Sequence, residues 1–486
     1  MGNVVSDRPA SWNLPRLVIG APHGHSGKTT ISIGLVGAWR RMGHIVQPFK
    51  KGPDFIDPSW LGFAAGRPCR NLDCFWMTED EVRHSLLTGS AGADIVVIEG
   101  AMGLFDGVDL EGTGSTAEIA KMTGSPVVLV VDVTRMTRSI APLIMGFQAF
   151  DAQVRIAGVI FNKVARSRHE AMLRAAVREY CGVPVLGAVP KNAYNLFPER
   201  HLGLVPVEEH EAVEQAVAAN VKVAEQYLDL KGLWEVAGQG RAIPAFPPAQ
   251  PIKKAAIRAR IGVMRDKAFT FYYPENLEAL AAAGAELVTI RATQDAHLPA
   301  IDGLYIGGGF PEVYAAELEA NHSLRKDIKV AGQAGMPVYA ECGGLMYLGR
   351  TITWGERTHQ MCGLLPFDIV LDGRPQGHGY TEMKVIRDNP FFPAGAILRG
   401  HEFHHSRAIN LPDEPSDKTF FALQVLRGYG IDGNFDGILW QNVFAAYNHV
   451  HAVANPEWAP RFVAAAAAAA TAAAARQRIM PGANHR

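Results

Sequence analysis

Two short segments of the 486-residue chain combine side chains whose types and spacing serve chemistry. The first is Ala21-Pro-His-Gly-His-Ser-Gly-Lys-Thr-Thr30, a Gly-rich run ending in Lys-Thr-Thr. Glycines let backbone amides turn towards an anion, and a following helix N-terminus adds positive potential. Lys28 is placed to neutralise the outer phosphates of a nucleotide, and Thr29 to offer its hydroxyl to Mg²⁺. Gly24, Ser26, Gly27, Lys28, Thr29 and Thr30 are therefore candidate ATP contacts, with Lys50 beside them at the end of the next strand. Pro22 stands where the strict phosphate-loop spacing has its first glycine. Three carboxylates follow strand ends: Glu99 closing DIVVIE, Asp54 in Lys50-Lys-Gly-Pro-Asp-Phe-Ile-Asp57, and Asp106 in Gly103-Leu-Phe-Asp-Gly107. A hard cation takes oxygen ligands, usually one or two carboxylates with phosphate oxygens. Thr29, Asp54 and Glu99 are the candidate metal ligands, and Asp54, Glu99 and Asp106 the candidate catalytic acids.

The second segment, Val338-Tyr-Ala-Glu-Cys-Gly-Gly-Leu-Met346, sets Cys342 between an apolar strand and a helix. Gly343 and Gly344 permit a sharp turn, so this is a nucleophile elbow carrying sulfur. The helix N-terminus is expected to lower the thiol pKa. Gly307-Gly-Gly-Phe-Pro-Glu312 follows the strand GLYI and offers backbone amides for an oxyanion hole, with Gly308, Gly309 and Gly343 as candidate donors. A thiolate nucleophile needs a base. His401, His404 and His405 lie in Gly400-His-Glu-Phe-His-His-Ser406, and His449 and His451 in Ala445-Ala-Tyr-Asn-His-Val-His451. Spacing alone leaves the choice among them open. Cys69, Cys74, Cys181 and Cys362 read as small buried residues.

The elements that must position these groups are visible as alternating patterns. Leu14–Gly20, Ile45–Phe49, Asp94–Glu99, Pro126–Asp132 and Ala157–Asn162 are nearly unbroken apolar runs separated by helical patterns. That alternation predicts an α/β fold with a parallel sheet covered on both faces. After the proline-rich run Gly238–Lys254 the alternation begins again with RARIGVM, ELVTI and GLYIGG, and GILWQNVFAAY is expected as one late strand. The division expected is a phosphate-loop domain over 14–237, a linker over 238–254, a second α/β domain over 255–465, and an Ala-rich C-terminal helix or tail over 466–486.

Composition removes several classes of function. Lys+Arg is 47 and Asp+Glu 48, a net charge of -1, which supplies no basic excess for nucleic acid or an anionic membrane surface. Five cysteines without paired CxxC spacing argue against a disulfide framework or structural zinc and favour a reducing, cytoplasmic setting. No run is long and apolar enough for a membrane span.

With both sites in one chain, a specific resemblance emerges. Ser26-Gly-Lys-Thr-Thr30, Gln47-Pro-Phe-Lys50, Gly52-Pro-Asp-Phe-Ile-Asp-Pro58, Asn71-Leu-Asp73, Glu99-Gly-Ala-Met-Gly-Leu-Phe-Asp-Gly107, Phe271-Tyr-Tyr-Pro-Glu-Asn-Leu277, Gly307-Gly-Gly-Phe-Pro-Glu312 and Glu341-Cys-Gly-Gly344 occur in this order. In these motifs the chain resembles the cobyrinate a,c-diamide synthases, over about residues 15–465. The resemblance implies a dethiobiotin-synthetase-like first domain and a class I glutamine amidotransferase-like, flavodoxin-like second domain. It implies that ATP phosphorylates the a and c acetate side chains of a tetrapyrrole in turn, and that ammonia from glutamine displaces phosphate. Carried over by position, Lys28 and Thr29 contact nucleotide and Mg²⁺, and Asp54 and Glu99 serve metal and phosphoryl transfer. Asp106 lies near the tetrapyrrole carboxylates, and Cys342 is the nucleophile. The pattern Tyr-x-His selects His449 as its partner, with His451 second, and no acidic third member is assigned. Expected partners are glutamine, the tetrapyrrole polycarboxylate and a second copy in a homodimer.

Ser59-Trp-Leu-Gly62, Lys50-Lys51, Met136–Pro142, Gly146–Asp151 and Arg427–Gly437 depart from the cobyrinate pattern and resemble homologues that amidate siroheme or sirohydrochlorin in sulfur metabolism. The macrocycle is thus a second open choice. A non-enzymatic phosphate-loop ATPase or metal chaperone with a vestigial second domain is the alternative of another class.

Overall fold

The computed structural model describes residues 11–193, 199–200, 203–204, 207, 212–244, 256–412 and 419–479. The chain divides into two units, Met1–Ala249 and Gln250–Arg486.

The first unit is built on seven strands: β1 (Arg16–Gly20), β2 (Val46–Lys51), β3 (Arg70–Leu72), β4 (Ile95–Glu99), β5 (Val127–Asp132), β6 (Ile156–Val164) and β7 (Val185–Pro190). Their order across the sheet is β3-β2-β4-β1-β5-β6-β7, and every pairing is parallel. Leu17 to Ile19, Ile95 to Ile98 and Val127 to Val130 are fully buried. That burial explains their unbroken apolar sequence, because helices cover both faces of the sheet. The chain starts in the middle at β1, runs outward to β2 and β3, returns to β4 and then crosses to β5. Such a reversal opens a crevice at the carboxyl ends of the strands, where α/β sheets bind ligands. Helices α1 (Lys28–Arg41) and α2 (Ile56–Ala65) begin at that edge.

The second unit carries a ten-stranded mixed sheet. Its strands are β8 (Ala259–Met264), β9 (Ala285–Ile290), β10 (Gly303–Ile306), β11 (Val338–Glu341), β12 (Gly377–Val385), β13 (Ile397–His404), β14 (Thr419–Arg427), β15 (Phe435–Trp440), β16 (Val443–Ala446) and β17 (His449–Val450). The order is β9-β8-β10-β11-β16-β15-β14-β12-β13-β17. The β9-to-β16 half is parallel and the remainder antiparallel. Helix α3 (Pro274–Ala282) follows β8, α4 (Gly343–Leu348) follows β11, and α5 (Trp458–Ile479) closes the unit.

Three expectations change. GILWQNVFAAY is two antiparallel strands, β15 and β16, turning at Gln441, which adopts a φ of 53°. The last helix begins at Trp458, and its Trp458, Phe462, Val463 and Ala466 are core residues packed with Tyr305, Tyr339 and Phe444. The helix expected over 466–486 is thus the continuation of one that starts in the core, and the residues beyond 479 lie outside the described residues. Within the expected linker, Ile243–Pro244 pair antiparallel with Ser11–Trp12 as part of the first unit, while 245–254 lie outside the described residues.

Candidate active sites in the two units

In the first unit the turn from β1 to α1 has the form a phosphate loop requires. Gly27 caps α1 with a φ of 94°, a conformation that costs an L side chain energy. A Cβ on Gly27 would also collide with the Asn162 amide, which donates to Ser26 O at 2.9 Å. Asn162, near the end of β6, clamps the loop, a role with no signal in the sequence. Ser26 donates to His23 O at 2.9 Å, Gly24 has open space around it, and Thr30 is half-buried in the first turn. Lys28 reaches across to donate to Met102 O at 2.7 Å. Its ammonium is held down to about 8, chiefly by burial and then by the charge of Lys50.

Beside the loop, carboxylates surround one lysine. Lys50 at the end of β2 lies 2.6 Å from Asp57, 2.7 Å from Glu99 and 3.8 Å from Asp54. Burial disfavours its charge, yet the carboxylates outweigh burial and hold its pKa well above the ordinary lysine value. Thr29 donates to Glu99 Oε1 at 2.7 Å and to Asp57 Oδ2 at 3.2 Å. Asp57 is the residue that sequence reasoning passed over in favour of Asp54. Asp54 Oδ1 instead accepts the Ile56 amide at 2.8 Å, shaping the entry into α2, whose first turn presents Asp57. Burial and the neighbouring Asp57 charge push Asp54 up to about 7, against the opposing charge of Lys50. Against the opposing effect of burial, Lys50 holds Asp57 below the usual carboxylate range. Glu99 is raised, by burial above all.

These oxygens fit a hard cation. The set is all-oxygen, and Glu99 Oε2 is buried without a hydrogen-bond partner among the described residues. No group of three or more His, Cys, Asp or Glu among the described residues is arranged to hold a metal unaided. A cation there would share its ligands with phosphate oxygens. Asp106 is exposed and accepts the Gly103 amide at 2.8 Å, in the loop whose Met102 carbonyl holds Lys28.

In the second unit Cys342 joins β11 to α4 with φ 49° and ψ -102°. This left-handed, strained backbone is the mark of a nucleophile elbow. Its amide donates to Ala446 O at 2.8 Å, and Sγ lies 3.9 Å from Phe403 O on β13. Burial raises the thiol to about 12, with the charge of Glu312 adding to it. The expected lowering by the helix N-terminus is overturned. The helix has six residues, and the thiol is only 5% exposed, so dehydration outweighs the amides. In the resting chain the sulfur is protonated and needs a base.

The glycine loop after β10 lies between the elbow and one histidine. Gly309, at φ 150°, has its amide 3.1 Å from where a Cβ on Gly343 would stand. A Cβ on Gly308 would stand 2.6 Å from Cε1 and 3.3 Å from Nε2 of His449. His449 thus turns Nε2 towards this loop. His401 stacks on His449 with centroids 4.8 Å apart and is kept neutral, by burial first and by His449 second. His451 faces elsewhere, with Nε2 3.5 Å from Glu275 and its ring 4.7 Å from Tyr273. His404 stacks on Tyr447 at 3.6 Å and bonds Ser406 O at 2.8 Å, while His405 packs near Phe403. Asp436 holds the segment carrying His449. It accepts the Tyr447 amide at 3.1 Å and the Asn448 amide at 3.0 Å, and burial raises it to about 6.

Together the fold and the sites define a nucleotide-binding domain joined to a glutamine amidotransferase domain. Residues 17–205 match the CobQ/CobB/MinD/ParA nucleotide binding domain, and residues 260–457 the CobB/CobQ-like glutamine amidotransferase domain. The chain is 44% identical over 454 residues to a cobyrinate a,c-diamide synthase of Magnetococcus marinus, covering 92% of this chain and 96% of that protein. It is 41% identical to that of Methanosarcina acetivorans, covering 93% and 95%, and 40% identical to that of Archaeoglobus fulgidus, covering 93% and 97%. The chain belongs to the cobyrinate a,c-diamide synthase family.

Proposed function

We propose that the chain is an ATP- and glutamine-dependent ligase that amidates the a and c acetate carboxylates of cobyrinate or hydrogenobyrinate. The observation that carries this reading is the coexistence of two intact sites. One is a phosphate loop backed by Thr29, Asp57 and Glu99, and the other is a strained Cys342 elbow facing a glycine loop that contacts His449.

A carboxylate is a poor electrophile. Transfer of the γ-phosphoryl group of ATP to an acetate oxygen would supply a leaving group, and ammonia attacking the acyl carbon would expel phosphate. Catalysis of the first step rests on charge neutralisation and positioning. Gly24, Ser26, Gly27, Lys28 and Thr30 would cradle the phosphates. Thr29, Asp57 and Glu99, with Asp54 at their edge, would hold Mg²⁺, which supplies positive charge to the phosphate oxygens. Lys50 would remain beside the transferred group. Asp106, one loop away from Lys28, suits the approach of the tetrapyrrole carboxylates.

In the second unit Cys342 would attack the glutamine amide carbon. His449 would take its proton, and the amides of Gly308, Gly309 and Gly343 would stabilise the oxyanion. His449 is favoured over His451 because its Nε2 faces the glycine loop. A cytoplasmic setting agrees with the five free cysteines. No helix among the described residues is long and apolar enough to cross a membrane. A homodimer belongs to the same reading and is tested by sedimentation.

The test is isotope-resolved mass spectrometry after incubation with ATP, Mg²⁺ and amide-¹⁵N glutamine. Cobyrinic acid and sirohydrochlorin are offered separately. Two ¹⁵N amides on cobyrinic acid are expected. Amides on sirohydrochlorin alone would move the enzyme to sulfur metabolism. ATP hydrolysis with no amide on either ring would favour the non-enzymatic ATPase.

A further inference from the structure

The glutaminase site has a nucleophile and a base, and the residue that orients the base stands immediately before the nucleophile. We infer that Glu341 is the positioning carboxylate for His449. The inference rests on the proposal that the second unit hydrolyses glutamine.

Glu341 closes β11, and its carboxylate is buried and firmly fixed. Oε1 accepts the Tyr339 hydroxyl at 2.9 Å and the Val450 amide at 3.1 Å. Oε2 accepts the Tyr305 hydroxyl at 3.0 Å and lies 3.7 Å from His449 Nδ1, with both side chains 2% exposed. Burial, and then the charge of Glu341, push both tyrosines well above their ordinary pKa, so they remain donors. The Val450 amide ties the carboxylate to the residue next to His449, which sets the distance between acid and imidazole.

The orientation of the ring gives this contact its meaning. His449 points Nε2 towards the Gly308 loop and Nδ1 towards Glu341. A carboxylate at Nδ1 favours the tautomer that keeps a proton there, which leaves the Nε2 lone pair free to accept. The Cys342 S–H bond then breaks with its proton passing to Nε2. The electron pair stays on sulfur, and the imidazolium formed is stabilised by Glu341 without transfer of the second proton. A thiol raised to about 12 makes such stabilisation necessary. The other titratable groups packed against His449 do not supply it. His401 on β13 is kept neutral by burial, and His451 turns to Glu275 and Tyr273.

The experiment uses the full chain, with glutamate release from glutamine as readout. Glu341→Gln keeps the volume and an acceptor but removes the charge. Its kcat is expected to fall about 10²–10⁴-fold with KM little changed, because the loss falls on charge developing in the transition state. Its pH–rate profile should differ in shape from that of the wild type, because the charge that steadies the imidazolium in the transition state is gone. Glu341→Asp should recover part of kcat, and thermal melts should show both variants folded. An unchanged kcat and pH profile in Glu341→Gln would overturn the inference. So would a loss matched by collapse of the melting transition, or Glu341→Asp performing no better than Glu341→Gln. Wild-type chain that releases no glutamate would count against the glutaminase proposal itself, which the wild-type control separates from failure at Glu341.

Discussion

In the first unit three carboxylates converge on the ammonium of Lys50, whereas in the second a single carboxylate meets the imidazole of His449. In the first cluster Lys50 and Asp57 are held in their charged forms while burial raises Glu99 and Asp54, and the Asp54 and Asp57 side chains keep 32% and 19% of their accessibility. The second is dry: Cys342 and His401 are both pushed towards their neutral forms by burial. A cluster rich in carboxylates keeps its lysine charged and would draw in a cation to meet a polyanionic phosphate. A site for a neutral amide keeps its charges suppressed until a proton moves. Burial acts in both places, and the difference lies in the close partners that keep Lys50 and Asp57 charged against it.

Variants that break one cluster and spare the other test this contrast. The largest effect is expected at His449. His449→Ala should lower glutamine hydrolysis by about 10³-fold or more, and His451→Ala by no more than about tenfold, in initial-rate assays of glutamate release. Equal losses would mean that both imidazoles serve the thiol. Glu99→Gln should lower ammonium-supported, ATP-dependent amidation by about 10²–10³-fold while glutamine hydrolysis persists. Asp57→Asn should destabilise the chain by about 2 kcal/mol, because it leaves Lys50 short of its nearest partner. Asp54→Asn should cost less than about 1 kcal/mol. Calorimetry of the two variants checks the ranking.

A separate effect lies in the pH dependence of stability. Asp436 is raised to about 6, so the native chain holds a proton that the unfolded chain releases near its ordinary value of 3.8. Stability from this group is present below about pH 4 and is lost as pH rises through about 6, with a magnitude of about 1–3 kcal/mol. Melting curves from pH 4 to 7.5 should show that slope in the wild type and lose it in Asp436→Asn.

The parts legible in the sequence were those whose geometry is contiguous in the chain. A phosphate loop needs one strand, one turn and one helix, so Gly27, Lys28 and Thr29 are recognisable from spacing. The elbow at Cys342 is recognisable for the same reason. The parallel strands were legible because burial on both faces leaves unbroken apolar runs. What required the fold was choice among neighbours. Asp54 and Asp57 share one motif, and only the turn into α2 decides that Asp54 accepts the Ile56 amide while Asp57 reaches Thr29 and Lys50. Among the histidines, selection depends on the register of β13 with β17, which stacks His401 on His449. Glu341 sits inside a recognised motif, yet its role depends on a contact with a residue 108 positions later (449 minus 341). The thiol pKa was misjudged because helix polarity is local in sequence and dehydration is not.

The account's central claim is that ammonia is made at one site and consumed at another. Replacing Cys342 with Ala and measuring tetrapyrrole amidation with glutamine and with ammonium salts tests it most directly. The account predicts that glutamine-supported amidation falls about 10³-fold or more, while ammonium-supported amidation stays within about twofold of wild type. Equal loss with both donors in a folded variant, or undiminished activity with glutamine, would contradict it.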